Sequence, residues 1–418
     1  MNWLERVREQ IRQVNDALIT DRHWLHMHPE LSGRERGTAE YIATVLKGLG
    51  LTVHREVGDG GIVCLIQGDE PGPTVLWRTD MDGLPVQEAN DVDYRSVNEG
   101  VMHACGHDAH MAIGLAIARV LAARQWSMRG AVKLVFQPNE EIDGGAERMI
   151  EDGVLDNPKV DYALGLHVDS TLDSGSIGLS RGPTYASCND LRLVLRGPGG
   201  HGAHPEETAD LVVAAAQIIT NAQALVARTV SAFEPVILSF CAIHGGTVEN
   251  IIPSEITILG TVRVFDSEVL KSLKTRLEKM LDGILRPMGA DYGLSIEPGY
   301  PPLVNRAEIT DVVAEAARQG VGAASIFDFH TMGAEDMSYF LQAVPGCYFQ
   351  LGVHDPREEG VRPHHSPRFD VDDRALPIGL EIALHSIRLL QEHSPAIIDH
   401  QPSQGAASRH AGCGSTID

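Results

Sequence analysis

Apolar residues give the first outline of the chain. Leu4, Val7, Ile11, Val14 and Leu18 recur at three- and four-residue spacing, which predicts an amphipathic helix at the start. A second helix is expected over 38–49, stopped by Gly50. The stretches 62–67 and 74–78 are short apolar runs bounded by Gly and Pro, the pattern of buried strands. An Ala-rich helix over 109–123, a strand over 131–136, a short helix over 147–153 and a strand over 162–167 follow. This alternation predicts an α/β domain with a central, mostly parallel sheet flanked by helices.

The middle of the chain reads differently. Leu191, Leu193 and Leu195 alternate with Arg192, Val194 and Arg196, as in a half-buried strand. A long helix over 209–227 and strands over 236–241 and 255–265 come next. Asp266 caps a helix carrying Leu270, Leu273, Leu277, Leu281 and Ile284, and 292–297 closes the segment as a strand. The order β-α-β-β-α-β is the ferredoxin-like α+β pattern. The expected organisation is one domain from 1–184 and 299–400, interrupted by an inserted domain at 185–298. The α/β pattern then resumes and ends in a helix over 375–392. A tail at 401–418, rich in Gly, Ser and Ala, cannot bury a core and is expected to be mobile.

Composition narrows the class. Among 418 residues, 43% are hydrophobic and 22% charged, so a folded globular protein is expected rather than a disordered one. The net charge of −23 argues against a nucleic-acid or anionic-membrane partner, both of which need a basic face. No run is read as approaching the roughly 18 apolar residues of a membrane span. The N-terminus is charged and lacks an apolar signal core. The six cysteines form no CxxC pairs and read as reduced thiols, so a cytoplasmic protein is expected.

Five stretches carry candidate chemistry. His103, Cys105, His107 and His110 crowd four possible ligands just before a helix; Cys105 and His107, two apart in an extended segment, would project to one side. They read either as a metal site for a borderline transition ion or as a His-rich turn with a buried Cys. Glu140 and Glu141 follow an apolar strand and read either as a metal ligand beside a general base or as a solvated acidic turn. His167, at the end of an apolar strand, fits a core histidine as well as a ligand. The segment 363–370, with His364 and His365, fits a polar loop as well as a site. Asp80 and Asp82 leave a buried strand where open α/β sheets place their ligands.

Taken together, these stretches form a chemically complete set, and the chain resembles the M20 metallopeptidase/amidohydrolase family, in particular its N-acyl-amino-acid, hippurate and indoleacetyl-amino-acid hydrolases. The resemblance spans about residues 15–392. It rests on His26-Met27-His28-Pro29-Glu30-Leu31-Ser32, on Arg78-Thr79-Asp80-Met81-Asp82-Gly83-Leu84-Pro85, and on the run from His103 to His110. Gln137-Pro138-Asn139-Glu140-Glu141, Gly165-Leu166-His167, Gly199-Gly200-His201-Gly202-Ala203-His204-Pro205 and Asn250-Ile251-Ile252-Pro253 continue it. Gly260-Thr261-Val262-Arg263, Met332-Gly333-Ala334-Glu335-Asp336 and His365-Ser366-Pro367 complete it in the family's order.

The resemblance implies roles. Cys105, His107, Glu141, His167 and His365 match the family's ligands for two divalent ions, Zn or Mn first, with Co or Ni as further options. Glu140 matches the general base and Asp82 the aspartate that orients the ligands. His201, Asn250 and Arg263 match positions that approach substrate from a lid and dimerisation domain. The guanidinium of Arg263 suits a carboxylate, and His201 suits an oxyanion. The sequence departs from the family at Asn139, where Ala is common, and at His364, where an apolar residue is commoner. His365, followed by Ser366-Pro367, is taken as the ligand. The implied activity is hydrolysis of an N-acyl amino acid to a carboxylic acid and a free amino acid, by a homodimer or higher homo-oligomer. A dipeptidase or carboxypeptidase, a diamino-acid deacetylase and a non-catalytic ligand-binding relative are the alternatives.

Overall fold

The computed structural model describes residues 2–124 and 126–398. The tail at 401–418, with Cys413, lies outside the described residues.

The chain opens with helices α1 (Trp3–Met27) and α2 (Arg36–Gly48); an Asn2–Glu5 capping box starts the first. Strands β1 (Val53–Val57), β2 (Gly61–Gln67) and β3 (Glu70–Asp80) lead to α3 (His107–Ala122). Then come β4 (Arg129–Gln137), α4 (Gly145–Glu151), β5 (Tyr162–Asp173), β6 (Ile177–Gly178) and β7 (Gly182–Tyr185). After the insert described below, the chain returns through β14 (Leu303–Asn305), α7 (Ala307–Gly320), β15 (Ile326–Phe327), α8 (Met337–Ala343), β16 (Gly346–His354) and α9 (Leu376–Ile398).

Eight of these strands form one sheet in the order β1-β2-β4-β3-β5-β16-β6-β15. Its centre, β4-β3-β5-β16, is parallel as expected, but the sheet as a whole is mixed. Two residues separate β2 from β3, so the chain must reverse there, and β2 pairs antiparallel with β4. On the other side β6 returns antiparallel to β16. Side chains alternate between two cores. Val75, Trp77, Leu134 and Leu164 pack towards α1, α2, α3, α7 and α9. Leu76, Val135, Ala163 and Tyr348 pack towards α4 and α8. The C-terminal ends of the parallel strands therefore open on one rim between two helical layers.

The insert comprises β8 (Asn189–Arg196), β9 (Gly200–His201), α5 (Leu211–Thr229), β10 (Val236–Gly245), β11 (Ile251–Ile252), β12 (Glu255–Val264), α6 (Ser267–Leu285) and β13 (Asp291–Pro298). Its four-stranded antiparallel sheet, β10-β12-β8-β13, has the ferredoxin-like strand order. Asp210 and Asp266 cap α5 and α6, whose apolar stripes close a separate core on that sheet. By length and composition α5 could cross a membrane, contrary to the sequence reading. Its Leu211, Ala214, Ala215, Ile218 and Ala222 are instead buried against the sheet.

Candidate metal centre and active site

Three neighbouring strands deliver the site. Asp80 ends β3 and Asp82 follows it; the loop after β4 carries Glu140 and Glu141; β5 carries His167. His167 does not end its strand, because β5 runs on to Asp173. Cys105 and His107 converge for a different reason from the expected extended segment. Gly106 takes a left-handed conformation, φ +89°, and caps α3, so Cys105 precedes the turn and His107 opens the helix. A Cβ on Gly106 would sit 2.3 Å from Val168 Cγ2, so no side chain fits there.

Potential donor atoms of Cys105, His107 and His167 lie within 4.8 Å of one another, and so do those of Cys105, Glu141 and His365. Cys105 Sγ is 3.5 Å from His167 Nε2. His107 Nε2 and His365 Nε2 stand 3.8 and 3.5 Å from Glu141 Oε1. His365 adopts φ +60° to reach the cluster from the far loop. His364 turns inward, and its Nε2 accepts the Ser170 N–H at 3.3 Å.

The surrounding bonds leave lone pairs facing inward. Asp82 Oδ1 takes the Nδ1 proton of His107 at 3.2 Å, freeing Nε2. Asp82 Oδ2 accepts from Ser32 Oγ at 2.7 Å and from the Glu141 N–H at 2.9 Å. His167 Nδ1–H donates to the Val168 carbonyl at 2.6 Å, which leaves its Nε2 as a base. Asp80 holds His110 Nδ1 at 2.6 Å, and His110 Nε2 accepts the Val168 N–H at 2.9 Å. Asp80 and His110 thus brace the backbone that orients His167.

Two buried atoms, His107 Nε2 and Glu141 Oε1, have no hydrogen-bond partner among the described residues. Such an orphan costs about 1–3 kcal/mol unless a ligand satisfies it. The electrostatics draw positive charge to the same spot. Burial resists a proton on His107, yet Asp80, Asp82 and Glu141 outweigh it and push the imidazole up to about 10. Burial, reinforced by the neighbouring His110, holds His167 down at about 4 and therefore neutral. A thiol, three imidazoles and a carboxylate with unfilled donors fit borderline divalent ions.

Glu140 lies beside this cluster, 6% exposed, its carboxyl grouped with His107 and Glu141 on one side and with Glu335 and Asp336 on the other. Burial, then Glu335, Glu141 and Asp336, hold it well above the usual carboxylate range. Its loop is pinned along its length. Asp336 Oδ2 accepts from Gln137 Nε2 at 2.6 Å and from the Ala146 N–H at 3.1 Å, gripping both ends. Asn139 sits at φ +62°, a left-handed position that Asn tolerates, with its N–H on Glu35 at 2.8 Å. Arg78, fully buried, pairs with Asp80, Glu335 and Asp336.

The predicted lid residues stand apart. His201, on β9, pairs with Ile251 of β11, next to Asn250, and both are exposed. Arg263, on β12, reaches Thr261 Oγ1 at 3.2 Å. Among the described residues no hydrogen bond or ion pair joins these three to the ligand cluster. Arg78, Asp80, Glu335 and Asp336 lie in stretches that the sequence picks out without assigning them a role. Glu35 and Tyr300 carried no signal of their own beyond a glycine–proline context around Tyr300.

Known proteins share this architecture. Residues 76–388 match the model for peptidase family M20/M25/M40. Thermostable carboxypeptidase 2 of Saccharolobus solfataricus is 37% identical over 91% of this chain and 96% of its own length. An N-acyl-L-amino acid amidohydrolase of Geobacillus stearothermophilus is 38% identical over 72% of this chain and 82% of its own. The solved structure of the YXEP protein of Bacillus subtilis, described as a dinuclear metal binding peptidase from the M20 family, superposes with a TM-score of 0.81 at 29% identity. It covers 91% of this chain and 99% of its own.

Proposed function

The chain belongs to peptidase family M20/M25/M40, and from that premise we propose that it cleaves N-acyl amino acids into a carboxylic acid and a free amino acid. It is a hydrolase acting on amide bonds and takes two divalent metal ions. One observation carries the reading: two consecutive carboxylates on one pinned loop diverge into different surroundings. Glu141 meets His107 and His365 among the unfilled donor atoms, while Glu140 sits beside them against the Glu335–Asp336 wall.

In this reading Cys105, His107, Glu141, His167 and His365 hold the ions, Zn or Mn first and Co or Ni next. Bound there, the ions supply positive charge that polarises the amide carbonyl, acidifies water and draws nearby carboxyls back to their ionised form. Glu140 removes the proton from water as its oxygen bonds the carbonyl carbon. It then returns that proton to the nitrogen as the C–N bond breaks. Asp82 holds His107 in the right tautomer and fixes the backbone of Glu141. From the lid, Arg263 receives the substrate carboxylate, His201 donates to the developing oxyanion and Asn250 shapes the approach. We read 185–298 as a lid and dimerisation domain, the enzyme as a homodimer or higher homo-oligomer, and its location, from the free thiols Cys64, Cys105, Cys188, Cys241 and Cys347, as cytoplasmic.

A second reading, peptide cleavage as in a carboxypeptidase, uses the same residues and is favoured by the similarity to the thermostable carboxypeptidase of Saccharolobus. A hydrolysis panel separates the two. N-acetyl, benzoyl, long-chain acyl and indoleacetyl amino acids and simple dipeptides are offered to metal-loaded enzyme, chelated enzyme and Glu140→Gln. Chelator-sensitive acyl-amide cleavage that vanishes in the variant supports the proposal. Preference for peptides selects the second reading, and cleavage by Glu140→Gln at full rate refutes the base assignment.

A further inference from the structure

The chain crosses between its two halves through paired segments. Cys188 donates its N–H to the Tyr300 carbonyl at 2.9 Å, and Gly299 donates to the Cys188 carbonyl at 2.7 Å. A Cβ on Gly299 would lie 2.8 Å from the Cys188 oxygen, so the segments touch backbone to backbone. Tyr300 is therefore fixed at the hinge, two residues after the last lid strand.

Its side chain leaves the hinge for the catalytic loop. The Tyr300 hydroxyl donates to the Glu140 carbonyl oxygen at 2.5 Å. The ring packs edge-on to Tyr339 of α8, and a Cβ on Gly144 would be 2.9 Å from Tyr300 Cε1. The carbonyl it grips belongs to the peptide between Glu140 and Glu141. The N–H of that same peptide is held by Asp82 at 2.9 Å. One peptide plane is thus clamped at both ends, by Asp82 from the site and by Tyr300 from the hinge. Rotating that plane would swing both carboxylates, because their Cα atoms lie at its two corners.

We propose that Tyr300 is a positioning residue: its hydroxyl, anchored in the hinge, fixes the Glu140–Glu141 peptide plane and ties the aim of both carboxylates to the lid's attachment. The inference rests on Glu140 as the base and Glu141 as a ligand. A hinge displacement would move Tyr300 with it and release or redirect the plane.

The full-length wild type, Tyr300→Phe and Glu140→Gln test this. Phenylalanine keeps the ring between Gly144 and Tyr339 and removes only the donor. Hydrogen exchange on metal-stripped protein reads the clamp without any activity. We expect amides in 139–146 to exchange at least tenfold faster in Tyr300→Phe, with 189–196 of the lid unchanged. On the best panel substrate, kcat is expected to fall about tenfold with KM within twofold and two metals still bound per chain. Unchanged exchange overturns the clamp, and faster exchange with unchanged kcat overturns the positioning role. A fall in kcat that tracks metal loss or a global loss of protection overturns it in favour of plain structural support. An active Glu140→Gln removes the base reading itself and the inference with it, an outcome separate from anything Tyr300→Phe shows.

Discussion

The cluster of donor atoms and the insert's His201, Asn250 and Arg263 are held in opposite ways. Around the cluster several groups are fixed by others: His107 by Asp82, His167 by the backbone that His110 and Asp80 brace, and the Glu140 loop by Asp336, Glu35 and Tyr300. Around His201, Asn250 and Arg263 the ties are few; His201 and Asn250 are exposed and Arg263 is half-buried. A metal centre whose ligand geometry is set before its ions arrive leaves buried donors unmatched, and the surrounding bonds must offset that cost. A substrate clamp can be completed by the substrate itself. The difference teaches where rigidity is spent: on ligand geometry in one half, and only on the hinge between the halves.

The largest effect should come from the tightly held half. Glu140→Gln keeps the loop's size and its backbone bonds, so metal content should stay at two ions per chain. Hydrolysis should fall by about 10²–10⁴-fold, the usual worth of a positioned base. Metal analysis beside initial rates checks it. Loss of metal together with activity would show that Glu140 belongs to the ligand set, and the division between the two carboxylates would be wrong.

The same half rests on a buried charge web of a kind the insert does not show among the described residues. Arg22 pairs with Asp108 at 2.9 Å and Asp370 at 2.7 Å, and His26 pairs with Asp108 at 2.8 Å and Glu88 at 3.2 Å. Asp108 stands next to His107, so this web secures the start of α3. Burial disfavours charge on His26, but Asp108 and Glu88 outweigh it and raise its pKa to about 9. The sign follows from linkage. A raised pKa adds stability in full below about 6.5, and that stability is lost as pH climbs through 9. The total is about 3 kcal/mol, a few hundredfold in the folding equilibrium. His26→Gln should therefore be less stable than wild type at pH 6, with the gap closing by pH 10 in denaturant titrations. The lid's pairs, such as Arg196–Glu255 and Arg286–Asp282, are exposed and should add little at any pH. A gap that stays constant with pH would mean that His26 is not charged in the folded protein.

Asp82→Asn probes the next layer. It removes the carboxylate that fixes the His107 tautomer but keeps an oxygen for the Glu141 N–H. Orienting partners of this kind are typically worth about 10–100-fold in metal affinity or activity. A competition titration with a chelator measures it, and an unchanged affinity would show that the braces around His107 are redundant.

Much of this was legible in the residues, and the failures have physical causes. The insert could be read because its strands alternate and its helices carry single apolar stripes, the signature of a two-layer unit with one wet face. The central strand β16 carried no such periodicity. It is buried from Gly346 to Val353, flanked by β5 and β6, but the polar Gln350 and the Gly352 beyond it interrupt the apolar run that marked β2 and β3. β6 and β15 are two residues each, too short to leave a pattern. The Cys105–His107 pair was identified with the wrong geometry, because a left-handed Gly106 rather than an extended segment brings the side chains together. Glu35 and Tyr300 act on the catalytic loop across 104 and 160 residues of chain. Contacts of that kind exist only once the sheet has ordered its strands, so local spacing could not reveal them.

The smallest predicted effect belongs to the loosely held half. Arg263 lies on β12 with its Nε on Thr261 and no carboxylate partner among the described residues. Lysine keeps the positive charge at that site but loses the planar fork that takes a carboxylate through two parallel bonds. If the lid clamp is completed by substrate, Arg263→Lys should weaken binding by about tenfold, since one charge-assisted hydrogen bond is worth about 1.5–3 kcal/mol and lysine recovers part of it. The loss should fall on KM, with kcat nearly intact, because the residues that move the proton are braced without help from this strand. Esterifying the substrate's carboxylate should then cost wild type more than it costs the variant. A fall in kcat with KM unchanged would place Arg263 in contact with the reacting amide, and the contrast between a prebuilt centre and a substrate-completed lid would fail at the residue where it is sharpest.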